Sequence, residues 1–156
     1  MERREFIALL GGAAVATPSS AHAQSSRAAR SFADRLSGTW AFVSSENTRR
    51  DGSTFDRWGP DPKGIFMLDR SGHYSQIIVG SESRVFGAKT FCSFGTYSID
   101  EGKRVFTTHI VGCSVTSLIG AAQIRSVLLL NAEELRYTNL ITATGATAKV
   151  LWKRVA

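Results

Sequence analysis

Eight short runs rich in β-branched and aromatic residues, set at nearly even intervals, constrain this chain more than any other feature. They are Thr39 to Glu46, Gly64 to Asp69, His73 to Val79, Thr90 to Ile99, Arg104 to Val111, Gln123 to Leu130, Glu134 to Leu140 and Thr147 to Arg154. Such runs read as strands when turn residues bound them. The separators here are Asp51-Gly52, Gly59-Pro60-Asp61-Pro62, Ser71-Gly72, Gly80-Ser81, Asp100-Glu101-Gly102, Asn131-Ala132 and Thr144-Gly145, all of them chemistry that reverses a chain. Most of these links are short, and short links join antiparallel neighbours, because a parallel crossover takes roughly a dozen residues or more.

Eight meandering strands leave two edges unpaired unless the sheet closes. The expected fold is therefore all-β: a single eight-stranded antiparallel up-and-down β-barrel. A β-sandwich is the alternative, since strand count and turn spacing do not separate the two. Helical signals are few. One turn is expected at Ser31-Phe32-Ala33-Asp34-Arg35-Leu36, and another within Ser117 to Gln123, where Leu118, Ile119, Ala121 and Ala122 cluster.

The amino terminus has a different texture. Arg3-Arg4 precede an uncharged apolar run from Phe6 to Ala16, and Ala21-His22-Ala23 follows. A positive end, a short apolar core and a small-x-small site form the signal-peptide pattern, with cleavage expected after Ala23. The apolar run is about 11 residues, well short of the roughly 20 that a spanning helix needs. Arg3-Arg4-x-Phe6-Ile7, with the mild Gly11-Gly12-Ala13-Ala14 core, resembles a twin-arginine export signal, the general secretory signal being the rival. The expected organisation is signal peptide 1–23, linker 24–36 and one domain over 37–156, about 130 residues after cleavage and the size of a single core. A periplasmic or secreted destination follows, with no membrane anchor.

Charge narrows the partners. The chain carries 19 Lys and Arg against 13 Asp and Glu, a net +6. A nucleic-acid binder gathers its cations on one face, whereas Arg57, Arg70, Arg84, Arg104, Arg125, Arg136 and Arg154 fall about one per segment. No nucleic-acid partner is expected. The oligomeric state is not readable from the sequence.

Several local patterns carry a resemblance. Ser37-Gly38-Thr39-Trp40 opens the first strand as a Gly-x-Trp start, and Asp51-Gly52, Trp58-Gly59-Pro60-Asp61-Pro62-Lys63-Gly64 and Asp69-x-x-Gly72-x-Tyr74-Ser75 follow it. Then come Gly95-Thr96-Tyr97-x-Ile99-Asp100, Gln123-Ile124-Arg125 and Leu151-Trp152-Lys153-Arg154. In this order the chain resembles the small lipocalin-like domain family over nearly all of residues 37–156. The resemblance implies a compact calycin-type barrel in which the tryptophan plugs one end. It implies no single activity. Where such domains carry a pair of histidines before a strand, this chain has Thr108-His109, so no role that needs the pair is carried over.

Catalytic signatures are missing from the sequence. There is no G-x-S-x-G elbow, phosphate loop or dinucleotide fingerprint, and His73 and His109 sit on different strands without the spacing of metal ligands. No cofactor or metal is expected. What remains is a set of aromatic and polar residues within strands, namely Trp40, Phe66, Tyr74, Tyr97, His109, Gln123, Arg125, Tyr137 and Trp152, the mixture with which a barrel grips a small hydrophobic or amphipathic molecule. Ligand binding is the leading reading. An isomerase or cyclase using His109, Tyr97 or Arg125, or a filled barrel acting as an interaction module, are the alternatives. Only one parity of each strand faces inward. Arg125, between Ile124 and Ser126, is expected on the outer face, because an interior arginine needs a partner; the inner position, as an anion partner, is the other option. Ordinary pairing about Glu101-Gly102 sets Cys92 opposite Val111 with Cys113 diagonal to it. That is a marginal geometry for a bridge, so Cys92 and Cys113 are a candidate disulfide or two buried thiols.

Overall fold

A computed structural model describes residues 30–81 and 89–155; the expected signal peptide and most of the linker lie outside them. A short helix α1 (Phe32–Leu36) leads into strand β1 (Gly38–Thr48), a two-residue strand β2 (Thr54–Phe55), β3 (Lys63–Leu68), β4 (His73–Val79) and β5 (Thr90–Asp100). After these come β6 (Val105–Cys113), a 3₁₀ turn at Thr116–Leu118, β7 (Ala122–Leu130), β8 (Glu134–Asn139) and β9 (Thr147–Arg154). Every long strand pairs antiparallel with its sequence neighbours, and β9 pairs with β1 from Trp40↔Arg154 to Thr48↔Thr147. The sheet is thus a closed eight-stranded barrel, with β2 appended to the far end of β1 through Asn47↔Phe55. Closure leaves no long edge to be covered, which selects the barrel over the sandwich. The eight runs seen in the sequence correspond to the eight long strands. β2 is too short to register as a run.

Three irregularities aim the side chains. Register shifts fall at Phe42/Ser44 in β1, at Phe94/Gly95 opposite Val111 in the β5–β6 pair, and at Val127/Leu129 in β7. A bulge inserts one residue and turns the next onto the other face. In β7 this lets Gln123, Arg125, Val127 and then Leu130 face inward while Leu128 is exposed. Gly95 is required at its site: a Cβ there would run into the His109 carbonyl across the ladder.

One end of the barrel is sealed. Ser31 caps α1 by accepting from Asp34 N at 3.0 Å, and Phe32 N donates to Glu101 Oε1 at 2.7 Å, so the helix lies across the strand ends with Phe32 and Leu36 buried. Trp40 is fully buried beneath it and donates its indole N–H to Leu36 O at 2.9 Å. The Arg154 guanidinium stands 4.0 Å over the Trp40 ring and donates to Ala132 O and Ser37 O, both at 3.0 Å, and to Arg35 O. The last strand, the first strand and the helix are therefore pinned at one point. Above this plug, Phe66 contacts Trp152, Tyr74 and Phe106 with ring centroids 5.4, 6.0 and 6.2 Å apart, and Leu68, Leu130 and Leu135 fill the gaps. Each large side chain buried here contributes roughly 1.5–3 kcal/mol by leaving water.

Candidate functional site

The other end of the barrel is built differently. The β1–β3 connection folds back over the opening, because Asp56 Oδ1 accepts from Trp58 N at 2.9 Å and from Gly59 N at 3.1 Å. Ser81 N then donates to Trp58 O at 3.1 Å. Gly80 lies so close to the Trp58 backbone that any side chain there would collide with it. Trp58 is thereby held inward, its ring meeting Phe42 edge-on at 6.2 Å, and the Arg57 guanidinium lies 4.6 Å from the Trp58 ring and 5.3 Å from Phe91. A second turn, Thr142 to Ala146, closes the β8–β9 side through Thr142 N to Ala146 O at 2.9 Å.

Between these loops and the aromatic core is a cavity of about 50 Å³. Its lining has two chemistries. Phe42, Trp58, Ile78, Phe91 and Val150 form an apolar wall, while Asn47, Gln76, Gln123, Asn139 and Thr142 bring polar groups, and Arg57 and Arg125 bring charge. That volume holds a few waters and is smaller than the ~300 Å³ or more of a pocket that encloses a drug-sized molecule.

Arg125 forms the floor. It is 2% exposed, whereas its neighbour Ile124 is 52% exposed, so the expectation that the arginine faces water is overturned. The cause is register. Val127 and Leu130 are committed to the core, and alternation from Val127 carries Arg125 and Gln123 inward and Ile124 outward. The guanidinium is paired with neutral acceptors. Nη1 donates to Thr108 Oγ1 and, at 3.4 Å, to Gln123 O; Nη2 donates to Gln123 Oε1 at 3.0 Å and Gln76 Oε1 at 3.3 Å. Phe66, Phe106 and Tyr137 present their rings 5.8, 5.6 and 5.6 Å away, and a cation near aromatic faces gains from the ring quadrupoles. Nε, buried, has no acceptor.

Arg57 repeats the theme at the rim. Burial pushes its guanidinium down to about 10, with Cys113 the smaller, opposing influence, so it remains a cation at neutral pH. Among the described residues its Nε is also buried without an acceptor, and Asn139 Oδ1 is buried without a donor.

Of the nine residues singled out in the sequence, Gln123, Arg125 and Tyr137 line the cavity. Trp40, Phe66, Tyr74 and Trp152 are interior but belong to the packing beneath, with Trp152 Nε1 donating to Tyr137 Oη at 3.2 Å and Tyr74 Oη to Ser93 Oγ at 3.4 Å. Two expectations fail. His109 faces outward, since Thr108 and Ile110 take the inner positions of β6. Tyr97 is partly exposed at the sealed end, where its hydroxyl donates to Asp69 O at 2.5 Å. The isomerase reading thus loses two of its three polar groups. Residues that the sequence reading passed over include Thr108 and Gln76, which alternation would have supplied had one inward residue per strand been known, and Arg57, which sits in a loop without periodicity.

The register at the cysteines differs from ordinary pairing about Glu101-Gly102. Val111 is bulged, which sets Cys113 opposite Ser93 rather than diagonal to Cys92. Both thiols are free and partly buried, and burial raises the Cys113 thiol above its ordinary range. Among the described residues no group of three His, Cys, Asp or Glu is placed to hold a metal, and no helix is long and apolar enough to cross a membrane.

A closed up-and-down barrel with a Gly-x-Trp plug, a short helix over the plugged end and a cavity at the opposite end is the architecture of a lipocalin-like domain. Residues 81–155 match the model of the lipocalin-like domain family. A lipocalin-like protein from Bacteroides uniformis is 18% identical in sequence; the alignment covers 78% of this chain and 99% of that one, with a TM-score of 0.46. A redesigned β-barrel is 17% identical over 80% of this chain and 95% of its own, with a TM-score of 0.47. No curated protein matches the chain.

Proposed function

We propose that this protein is an exported binding protein that holds a small amphipathic molecule by its polar head in the open end of the barrel. The observation that carries the reading is the convergence of Gln76, Gln123, Arg125 and Asn139 on a cavity whose remaining lining is largely aromatic and aliphatic. A barrel serving only as a packed module has no use for polar side chains turned inward, because each must be desolvated and then re-paired. Export rests on the Arg3-Arg4 start, the short apolar run and Ala21-His22-Ala23, and the destination is the periplasm or the exterior.

The test is native mass spectrometry of protein purified from its own periplasm, together with thermal shifts across a library of small amphipathic molecules. A retained molecule, or a ligand that at about 100 times its dissociation constant stabilises by about 2.7 kcal/mol, is the expected result. An empty barrel that no member of the library stabilises would refute the binding role.

A further inference from the structure

We propose that the occupant of the open end is an organic monocarboxylate, whose head supplies the countercharge that Arg125 lacks among the described residues. This rests on the open end being a ligand site and names the chemical class it takes.

Charge balance is the first support. An arginine buried in a protein interior is ordinarily paired with a carboxylate, because desolvating a cation is costly and neutral acceptors repay only part of it. Arg125 is buried to 2% exposure, yet its partners are one hydroxyl, one backbone carbonyl and two amide oxygens. Neither Asp, Glu nor Lys lines the cavity among the described residues. A second arginine, Arg57, lines the same space, and among the described residues it makes no salt bridge. Two cations and, among the described residues, no anion around one small cavity make it strongly attractive to a negative head group.

Geometry is the second support. Among the described residues neither arginine's buried Nε–H has an acceptor, and a carboxylate offers two oxygens with about four lone-pair sites, the pattern that suits a guanidinium fork. The remaining wall separates an organic acid from an inorganic anion. Phe42, Ile78, Phe91 and Val150 line the same cavity, where they shield a hydrocarbon and offer a bare ion nothing. The cavity volume of about 50 Å³ admits one carboxylate head and few further atoms, so the tail points outward past Trp58.

Titration calorimetry on the mature protein tests this with matched pairs: butanoate, hexanoate, octanoate and benzoate, each against the primary amide of the same skeleton. The acid should bind roughly tenfold or more tightly than its amide, the difference between a charge-assisted pair and a neutral one. Arg125→Met should bring the two within about twofold of each other by weakening the acid far more than the amide, and Arg57→Gln should narrow the gap in part. Acids and amides binding equally, or a preference that survives Arg125→Met, would overturn the carboxylate assignment and leave the binding role standing. Binding of neither series would count against both. The comparison within the native protein decides the matter even if Arg125→Met does not fold.

Discussion

The two ends of this barrel solve opposite problems with the same residue type. At the sealed end Arg154 donates to three backbone carbonyls and covers Trp40, and the charge stays at the margin, partly exposed, where water helps to solvate it. At the open end Arg125 is fully inside, donates mainly to side chains, and keeps an N–H in reserve. The first arrangement joins α1, β1 and the end of β9. The second gives up stability for a polar floor, as buried polar groups do when they are incompletely paired. An arginine in a barrel is a staple in one setting and, in the proposed reading, a receptor in the other, and what separates them is whether the acceptors are carbonyls of distant chain segments or rearrangeable side chains.

Mutations can break this contrast. The largest effect is expected at the plug: Trp40→Ala should lower unfolding free energy by about 3–5 kcal/mol in urea titrations, from the cavity and the freed Leu36 carbonyl. Trp58→Ala at the mouth should cost clearly less, roughly 1–2 kcal/mol, because that ring already borders open space. Equal losses would show that the mouth is as much a part of the core as the plug.

The arginines follow in size. Arg154→Gln should cost about 1–3 kcal/mol through the loss of charge-assisted bonds to carbonyls. Arg125→Met, of similar volume, should fall within about 1 kcal/mol of the native protein or exceed it, since removing an ill-paired interior charge is often neutral or stabilising. A loss at Arg125 as large as at Arg154 would make both residues staples. Titration of non-reduced, denatured protein with a thiol reagent should find both Cys92 and Cys113 reactive, as expected for a pair that the Val111 bulge moves out of diagonal register.

The smallest effect concerns acid. Asp69, in the β3–β4 turn at the sealed end, accepts from His73 N at 2.9 Å and from the Ser71 hydroxyl at 2.7 Å, which together hold its carboxyl below the usual value of 3.8. A carboxyl whose folded value is depressed contributes stability that is fully present above its unfolded value and is lost as pH falls through the folded one. Asp69→Asn should therefore be less stable than the native protein near neutrality, by a small margin because the group is exposed. The margin should close as pH drops below the ordinary carboxylate range. Urea midpoints of both proteins across that range provide the check, and a margin independent of pH would remove Asp69 as the cause.

Most of the fold was legible because strand residues and turn residues differ sharply along this chain, and because short links leave antiparallel pairing as the only geometry. The Gly-x-Trp start and the helical turn at residues 31–36 were legible for the same reason: both are local. The interior of the open end was not. Whether Ile124 or Arg125 faces inward depends on the alternation imposed by Val127 and Leu130 and on the bulge at Leu128, and the residue types argued for the wrong parity. His109 was misplaced by the same ambiguity, with Thr108, the smaller and less conspicuous residue, taking the inner position. Arg57 enters the site through a loop whose course is set by the Asp56 carboxylate and the space over Gly80, long-range facts that no periodicity records.

The seam between β1 and β9 also dictates when this protein becomes whole. Arg154 reaches Ser37 across 117 residues of chain, and every pairing along that seam is of similarly long range. Loops of this length close slowly, and proteins dominated by such contacts fold over milliseconds to seconds rather than microseconds. Hairpins β3–β4 through β8–β9 can assemble as an open, twisting sheet, but the ring joins only when β9 reaches β1. Until that moment the two unpaired borders are exposed together, and the window for a wrong partner lasts as long as the seam stays open.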